Sequence, residues 1–161
     1  MIYRESFRAG DTLGWVVIIA HEGALVSVDF AEEPKEADRP SPLTGKARQQ
    51  LQEYLEGRRR EFDLPLAPGG TRFQQEVWQA LGTVAYGETI SYGELARRAG
   101  RPGAFRAVGQ AVGKNPISIL IPCHRIIGAN GKLVGYGGGL ELKTWLLGME
   151  AAHSMEESPV R

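Results

Sequence analysis

Cys123 is the one cysteine in 161 residues, and it stands in the run Ile119-Leu120-Ile121-Pro122-Cys123-His124-Arg125-Ile126-Ile127. The thiolate is the reactive form of cysteine, and its pKa, about 8.5 when free, falls beside a base or a positive charge. Here an imidazole and a guanidinium follow at once, between two apolar runs, so the sulfur is expected in surroundings that are dry and polar together. That setting favours nucleophilic chemistry at sulfur with His124 as base. Pro122 blocks a helix and restricts Ile121 to extended geometry, which predicts a thiol fixed on a rigid turn after a buried strand-like run. In extended backbone adjacent side chains point to opposite faces, so a bridging water or a bend would have to carry the proton between Cys123 and His124. A lone cysteine is also a good small core residue, but Pro-Cys-His-Arg does little to fill a core.

The composition bounds what can surround this run. With 42% hydrophobic residues in 161, the chain can bury a real core as one domain or two small ones. The first residues have no apolar signal core, and no run approaches the roughly 18 residues of a membrane span, so a cytoplasmic protein without a membrane is expected. One cysteine permits no internal disulfide, and His21, His124 and His153 have no zinc-ligand spacing. The net charge is zero but uneven. Residues 1–67 carry nine basic against twelve acidic side chains, and residues 68–153 nine against five. The basic half is the Cys123 half, which suits a polyanionic partner.

The elements that must hold Cys123 are punctuated clearly. Trp15–Ala20, a His21-Glu22-Gly23 turn and Ala24–Phe30 read as a hairpin of β-branched residues, although Leu25, Val28 and Phe30 alternate imperfectly. Residues 31–41 read as an exposed loop. Leu43, Ala47, Leu51, Tyr54 and Leu55 have helical spacing up to a stop at Gly57. Arg58-Arg59-Arg60 is read as a solvated complement to that helix end rather than a nucleic-acid patch, and Phe62–Leu66 as a short strand before a linker. Thr71 with Gln74, and Ser91 with Glu94, open two further helices with capping signatures. Gly100 ends the second, and Ala104–Gly113 forms another helix after a tight turn, making a helix-turn-helix candidate. That last helix is lined with alanine and glycine, which fits close packing on a neighbouring helix as well as close approach to a groove. Arg106 projects from it and favours the groove.

Taken together, Ile121-Pro122-Cys123-His124-Arg125-Ile126-Ile127, Arg106-Ala107-Val108-Gly109, Asn115-Pro116, Gly135-Tyr136-Gly137-Gly138-Gly139-Leu140, Phe73-Gln74-Gln75-Glu76-Val77-Trp78 and Tyr86-Gly87-Glu88-Thr89 resemble the O6-alkylguanine-DNA alkyltransferase family. The resemblance runs from about residue 70 to 152 and is loose before residue 68. It implies that Cys123 accepts the alkyl group of O6-alkylguanine, and of O4-alkylthymine, irreversibly and once per molecule. It implies that His124 acts through a water as the base, that Glu150 orients His124, and that Asn115 holds the turn beneath the thiol. Tyr136 would donate toward guanine, with the carbonyls of Cys123 and Ile126 accepting from its exocyclic amine and the Gly137 N–H serving near O6. On the DNA side Arg106 would fill the space left by the flipped nucleotide and Tyr92 would press on its phosphate. Ala107, Gly109, Lys114 and Arg125 would line the interface.

Departures from the family pattern are local. Ala85 replaces a common proline before Tyr86, and Gly137 replaces a common serine. The N-terminal half lacks the cysteines of zinc-binding members, so no metal is expected, and direct displacement by a thiolate requires no cofactor. By spacing alone Glu150 would face solvent at the end of a helix carrying Leu142, Trp145, Leu146 and Met149, while His153 and the residues after it read as frayed. A winged-helix regulator that only binds DNA and a cysteine hydrolase are the rival readings. The first has no use for the thiol, and the second requires an oxyanion hole and turnover. The fold expected is α+β: a small N-terminal β-sheet plus helix domain over 1–67, then a mainly helical, winged helix-turn-helix-like domain over 68–155 and a tail over 156–161. The partner expected is double-stranded DNA carrying O6-alkylguanine, bound by a monomer.

Overall fold

The computed structural model describes residues 1–128, 131 and 139–154. Its first element is an antiparallel sheet of β1 (Ile2–Gly10), β2 (Gly14–His21) and β3 (Ala24–Ala31) in that order. β2 shows the alternation its β-branched sequence requires, with Val16, Ile18 and Ala20 buried and Val17 and Ile19 only partly so. Ile19 pairs with Ser27 and Ala20 with Leu25, which leaves Val26 as an extra residue in β3. This bulge brings both Leu25 and Val28 into the core and accounts for the imperfect alternation of the sequence. β1 escapes sequence reading because charged Arg4, Glu5 and Arg8 interrupt its apolar residues; pairing with β2 and burial of Phe7 make it a strand.

Helix α1 (Pro42–Leu55) lies on the sheet and buries Ala47, Leu51 and Tyr54. Ser41 caps it reciprocally with Thr44, and Gly57, at φ +77°, ends it: the N–H of Arg58 bonds the carbonyl of Glu53, and that of Gly57 the carbonyl of Tyr54. The helix therefore stops one residue beyond Tyr54.

In the second part α2 (Arg72–Leu81) starts at a full Thr71–Gln74 capping box and packs on α4 (Phe105–Gly113), where Trp78 Nε1 donates to the Ala111 carbonyl at 2.9 Å. Between them come β4 (Ile90–Ser91) and α3 (Tyr92–Arg98), capped by Ser91 and closed at Gly100, φ +74°. β4 pairs in parallel with β5 (Ile126–Ile127), and α5 (Leu140–His153) closes the chain's described part. The α+β class and the helix-turn-helix stand as expected.

The two parts share one apolar core, which runs from Phe7 and Ile18 through Leu51 to Val77, Leu95 and Ile126. The free edge of β3 makes the join. Leu25 N–H bonds the Pro65 carbonyl at 2.9 Å within the N-terminal part, and Val28 crosses to the second part, bonding Pro116 and Ser118 at 3.1 and 2.9 Å. The segment leading to Cys123 is thus anchored on the N-terminal sheet. No helix among the described residues is long and apolar enough to cross a membrane.

Candidate active site

Cys123 opens a 3-10 turn, Cys123–Arg125, directly before β5. The Ile119–Ile121 run ahead of it is not the extended strand that its composition predicts. Ile119 sits at φ +73°, in the left-handed region that β-branched residues avoid, and residues 118–121 form successive turns. Two features over-determine this backbone. Asn115 Nδ2 donates to the Ile121 carbonyl at 2.8 Å while its Oδ1 accepts from the Ile117 N–H at 3.0 Å. Pro122, at φ −81° and ψ 65°, makes an inverse γ-turn in which Cys123 N–H bonds the Ile121 carbonyl at 2.8 Å. Asn115 therefore bonds both ends of the turn that leads to Cys123.

His124 is fully buried, and so is Glu150. His124 Nε2 lies 2.7 Å from Glu150 Oε2. An ionised carboxylate only accepts, so Nε2 carries the proton and Nδ1 keeps its lone pair. Nδ1 is the one buried side-chain nitrogen or oxygen without a hydrogen-bond partner among the described residues. Burial pushes the imidazole below its ordinary pKa, and the bond and charge of Glu150 pull the other way without restoring it. A neutral imidazole with an open Nδ1 is a general base in waiting.

Among the described residues, five donors converge on Glu150. Arg125 gives a two-pronged pair, Nε to Oε1 and Nη2 to Oε2, both at 2.9 Å. Gly87 N–H reaches Oε1 at 3.1 Å, His124 takes Oε2, and the buried Tyr54 hydroxyl donates to Oε2 as well. Burial alone would raise the carboxyl; the hydrogen bonds of His124 and Arg125, with the Arg125 charge, outweigh it and hold Glu150 well below the usual carboxylate range. The helical face explains how α5 supplies this group, since Lys143, Leu146 and Glu150 follow at three- and four-residue steps and are all buried.

Lys143 is completely buried, and its ammonium donates to the Ile126 carbonyl. Burial lowers its pKa, while the charge of a Cys123 thiolate raises it. Tyr92, half-buried at the start of α3, is raised by burial and by the same thiolate. The Lys143 charge in turn favours the ionised form of the sulfur.

The helix-turn-helix presents Arg106 and Ala107 to solvent on α4, with Lys114 exposed at its end. Tyr92, Phe105, Arg106, Gly109 and Gln110 line an open groove of about 450 Å³. A side chain at Gly109 would meet the Tyr92 ring only at 3.6 Å, an ordinary contact. Packing on α3 therefore does not demand glycine here.

One expected interface residue is displaced. Arg125 is only 7% exposed and committed to Glu150 and to the Val84 carbonyl at 2.8 Å, so it belongs to the buried relay and not to a DNA surface. Tyr136 and Gly137 lie outside the described residues. Sequence reading also leaves out Tyr54, Lys143 and Phe105. Tyr54 reads only as core of its helix, Lys143 gives no signal, and Phe105 stands 57% exposed beside Arg106 with no packing reason. The Arg58–Arg60 cluster is occupied locally, with Arg58 on Glu56, Arg59 on Glu53 and Arg60 on the His153 carbonyl. That bond also ties His153, the last residue of α5, into the fold.

Comparison with known proteins adds identity to this geometry. Residues 72–152 match the family profile described as 6-O-methylguanine DNA methyltransferase, DNA binding domain, and residues 12–68 match its ribonuclease-like domain. A methylated-DNA–protein-cysteine methyltransferase of Mycolicibacterium paratuberculosis is 46% identical over 155 residues, covering 92% of this chain and 93% of that protein. Its counterpart from Methanosarcina acetivorans is 44% identical over 146 residues, covering 87% and 94%. Among solved structures, the Mycobacterium tuberculosis O6-methylguanine methyltransferase superposes with a TM-score of 0.85 at 42% identity, covering 98% of this chain and 97% of that one. A structure of the M. tuberculosis protein in complex with DNA gives 0.83 at 44% identity over 93% of each chain.

Proposed function

The chain belongs to the 6-O-methylguanine DNA methyltransferase family, and from that premise we propose that it repairs DNA by moving the alkyl group of O6-alkylguanine, and of O4-alkylthymine, onto Cys123. The observation that carries this reading is the buried His124–Glu150 pair beside a lone thiol that opens the turn before β5. His124 Nδ1 takes the proton of the Cys123 thiol by way of a water, and the imidazolium so formed donates through Nε2 to Glu150. The thiolate attacks the alkyl carbon; an S–C bond forms as the C–O6 bond breaks, and the electron pair returns to guanine, which takes up a proton. The product thioether is stable, so each molecule acts once. Tyr136, outside the described residues, is the proposed donor to guanine.

Reaching a carbon on O6 requires that the nucleotide leave the duplex, at a cost of a few kcal/mol. The exposed Arg106 fills the space left in the stack, and Tyr92 presses on the rotated phosphate. Ala107, Gly109 and Lys114 track the backbone, which positions the protein without reading sequence. Division of labour at about residue 67, between an N-terminal scaffold and a DNA-binding and transfer domain reaching to about 155, is supported by the separate matches over 12–68 and 72–152. In this reading the protein acts as a cytoplasmic monomer.

Titration with a duplex containing O6-methylguanine tests the reading. Methyl transferred should plateau at one per protein molecule. Continued turnover would indicate a hydrolase, and no transfer a DNA-binding protein only.

A further inference from the structure

We infer that Tyr54, contributed by α1 from the N-terminal part, is a positioning residue for alkyl transfer: its hydroxyl fixes the Glu150 carboxylate against His124. The inference rests on the transfer reading above and assigns the N-terminal part a role in the reaction itself.

Tyr54 is among the largest side chains with no solvent exposure. Its hydroxyl donates to Glu150 Oε2, the same oxygen that accepts His124 Nε2–H, and it lies 3.3 Å from that nitrogen. A phenol has one proton to give. With that proton on Glu150, the lone pairs of the Tyr54 oxygen face the N–H of His124. The hydroxyl therefore restrains the carboxylate and offers the imidazolium a second acceptor. Burial, with the charge of Glu150, raises the phenol well above its ordinary pKa, so the proton stays in place at every working pH.

The ring is held independently of the hydroxyl. It packs against Phe62 at 5.5 Å between centroids and edge-on to Tyr86 at 6.1 Å. The helix is fixed in turn by its cap at Gly57 and by the sheet beneath it. A buried hydroxyl inside an apolar cluster requires a partner, but that requirement does not select the one carboxylate that orients the base. Of the described groups that bind Glu150, Tyr54 comes from residues 1–67, while Gly87, His124 and Arg125 come from the second part.

Tyr54→Phe removes the hydroxyl and keeps the ring. The probe is free O6-benzylguanine, which bypasses DNA binding, and the readout is the single-turnover rate of benzyl transfer to Cys123 across pH. We expect a rate about tenfold lower near neutral pH, the order of effect for a hydrogen bond to a charged group. The pH of half-maximal rate should also fall, because the imidazolium loses an acceptor and the pKa of the base drops with it. A Tyr54→Phe protein with the wild-type rate and profile overturns the inference, as does a loss that is the same at every pH, which would mark a structural role alone. If the variant melts early, both proteins are compared at a temperature where each is folded by circular dichroism. Failure of the wild-type protein to take up either benzyl from the free base or methyl from an O6-methylguanine duplex would instead refute the transfer reading itself.

Discussion

His124 Nε2 lies 2.7 Å from Glu150 Oε2, and neither side chain is exposed to solvent. The pair sits at the end of a helix on one side and on a 3-10 turn on the other, so the base is oriented from an element remote in sequence. Arg125 completes the cluster and balances the carboxylate's charge. The whole relay is dry, which makes it costly to disturb and sensitive to protons.

Stability should fall as pH is lowered from 7.5 to 5.5. Folding lowers the pKa of His124 and of Glu150, so the unfolded chain binds more protons below its own values, about 6.5 and 4.3. The contribution is complete above the unfolded pKa of each group and is lost as pH falls toward the folded one, first for His124 and then for Glu150. Thermal melts across this range check it; a Tm that rises toward pH 5.5 would contradict the buried neutral imidazole.

Arg125→Met should cost about 3–5 kcal/mol, because it leaves the Glu150 charge buried without its partner. Urea unfolding measures the loss. A loss within about 0.5 kcal/mol, together with weaker DNA binding and a shallower salt dependence, would restore Arg125 to the DNA surface.

Cys123→Ala should abolish transfer and preserve binding to duplexes containing O6-methylguanine, since the thiol is the acceptor and the groove lies on α3 and α4. Gel-shift titration of the variant decides this. Lost binding in a folded protein would make Cys123 part of the scaffold.

Arg106→Ala should slow repair of duplex far more than reaction with free O6-benzylguanine. The side chain is exposed on α4 and takes no part in the relay. Equal losses on both substrates would count against its role in the base stack.

How much of this was legible in the sequence depends on range. The hairpin, α1, α2 and the helix-turn-helix declare themselves through local signals: β-branched runs, capping pairs and the stops at Gly57 and Gly100. Cys123, His124 and Asn115 stand out because a turn after Pro122 writes itself into adjacent residues. The Ile119–Ile121 run misleads, because its composition favours a strand while tertiary bonds from Asn115 and β3 force Ile119 to φ +73°. Arg125 misleads because a cation beside a DNA-binding helix reads as a surface residue until Glu150, 25 positions away, is placed beneath it. Tyr54 is 96 positions from Glu150. Helical spacing marks it as core and carries no information on which polar atom its hydroxyl meets.

The most direct test is the mass of the protein after incubation with excess duplex containing O6-methylguanine, followed by mapping of its peptides. The expected result is a gain of one methyl group per molecule, located on Cys123 and unchanged by longer incubation. An unmodified Cys123 peptide from folded protein, or a methyl group on any other residue, would contradict the assignment of Cys123 as the acceptor.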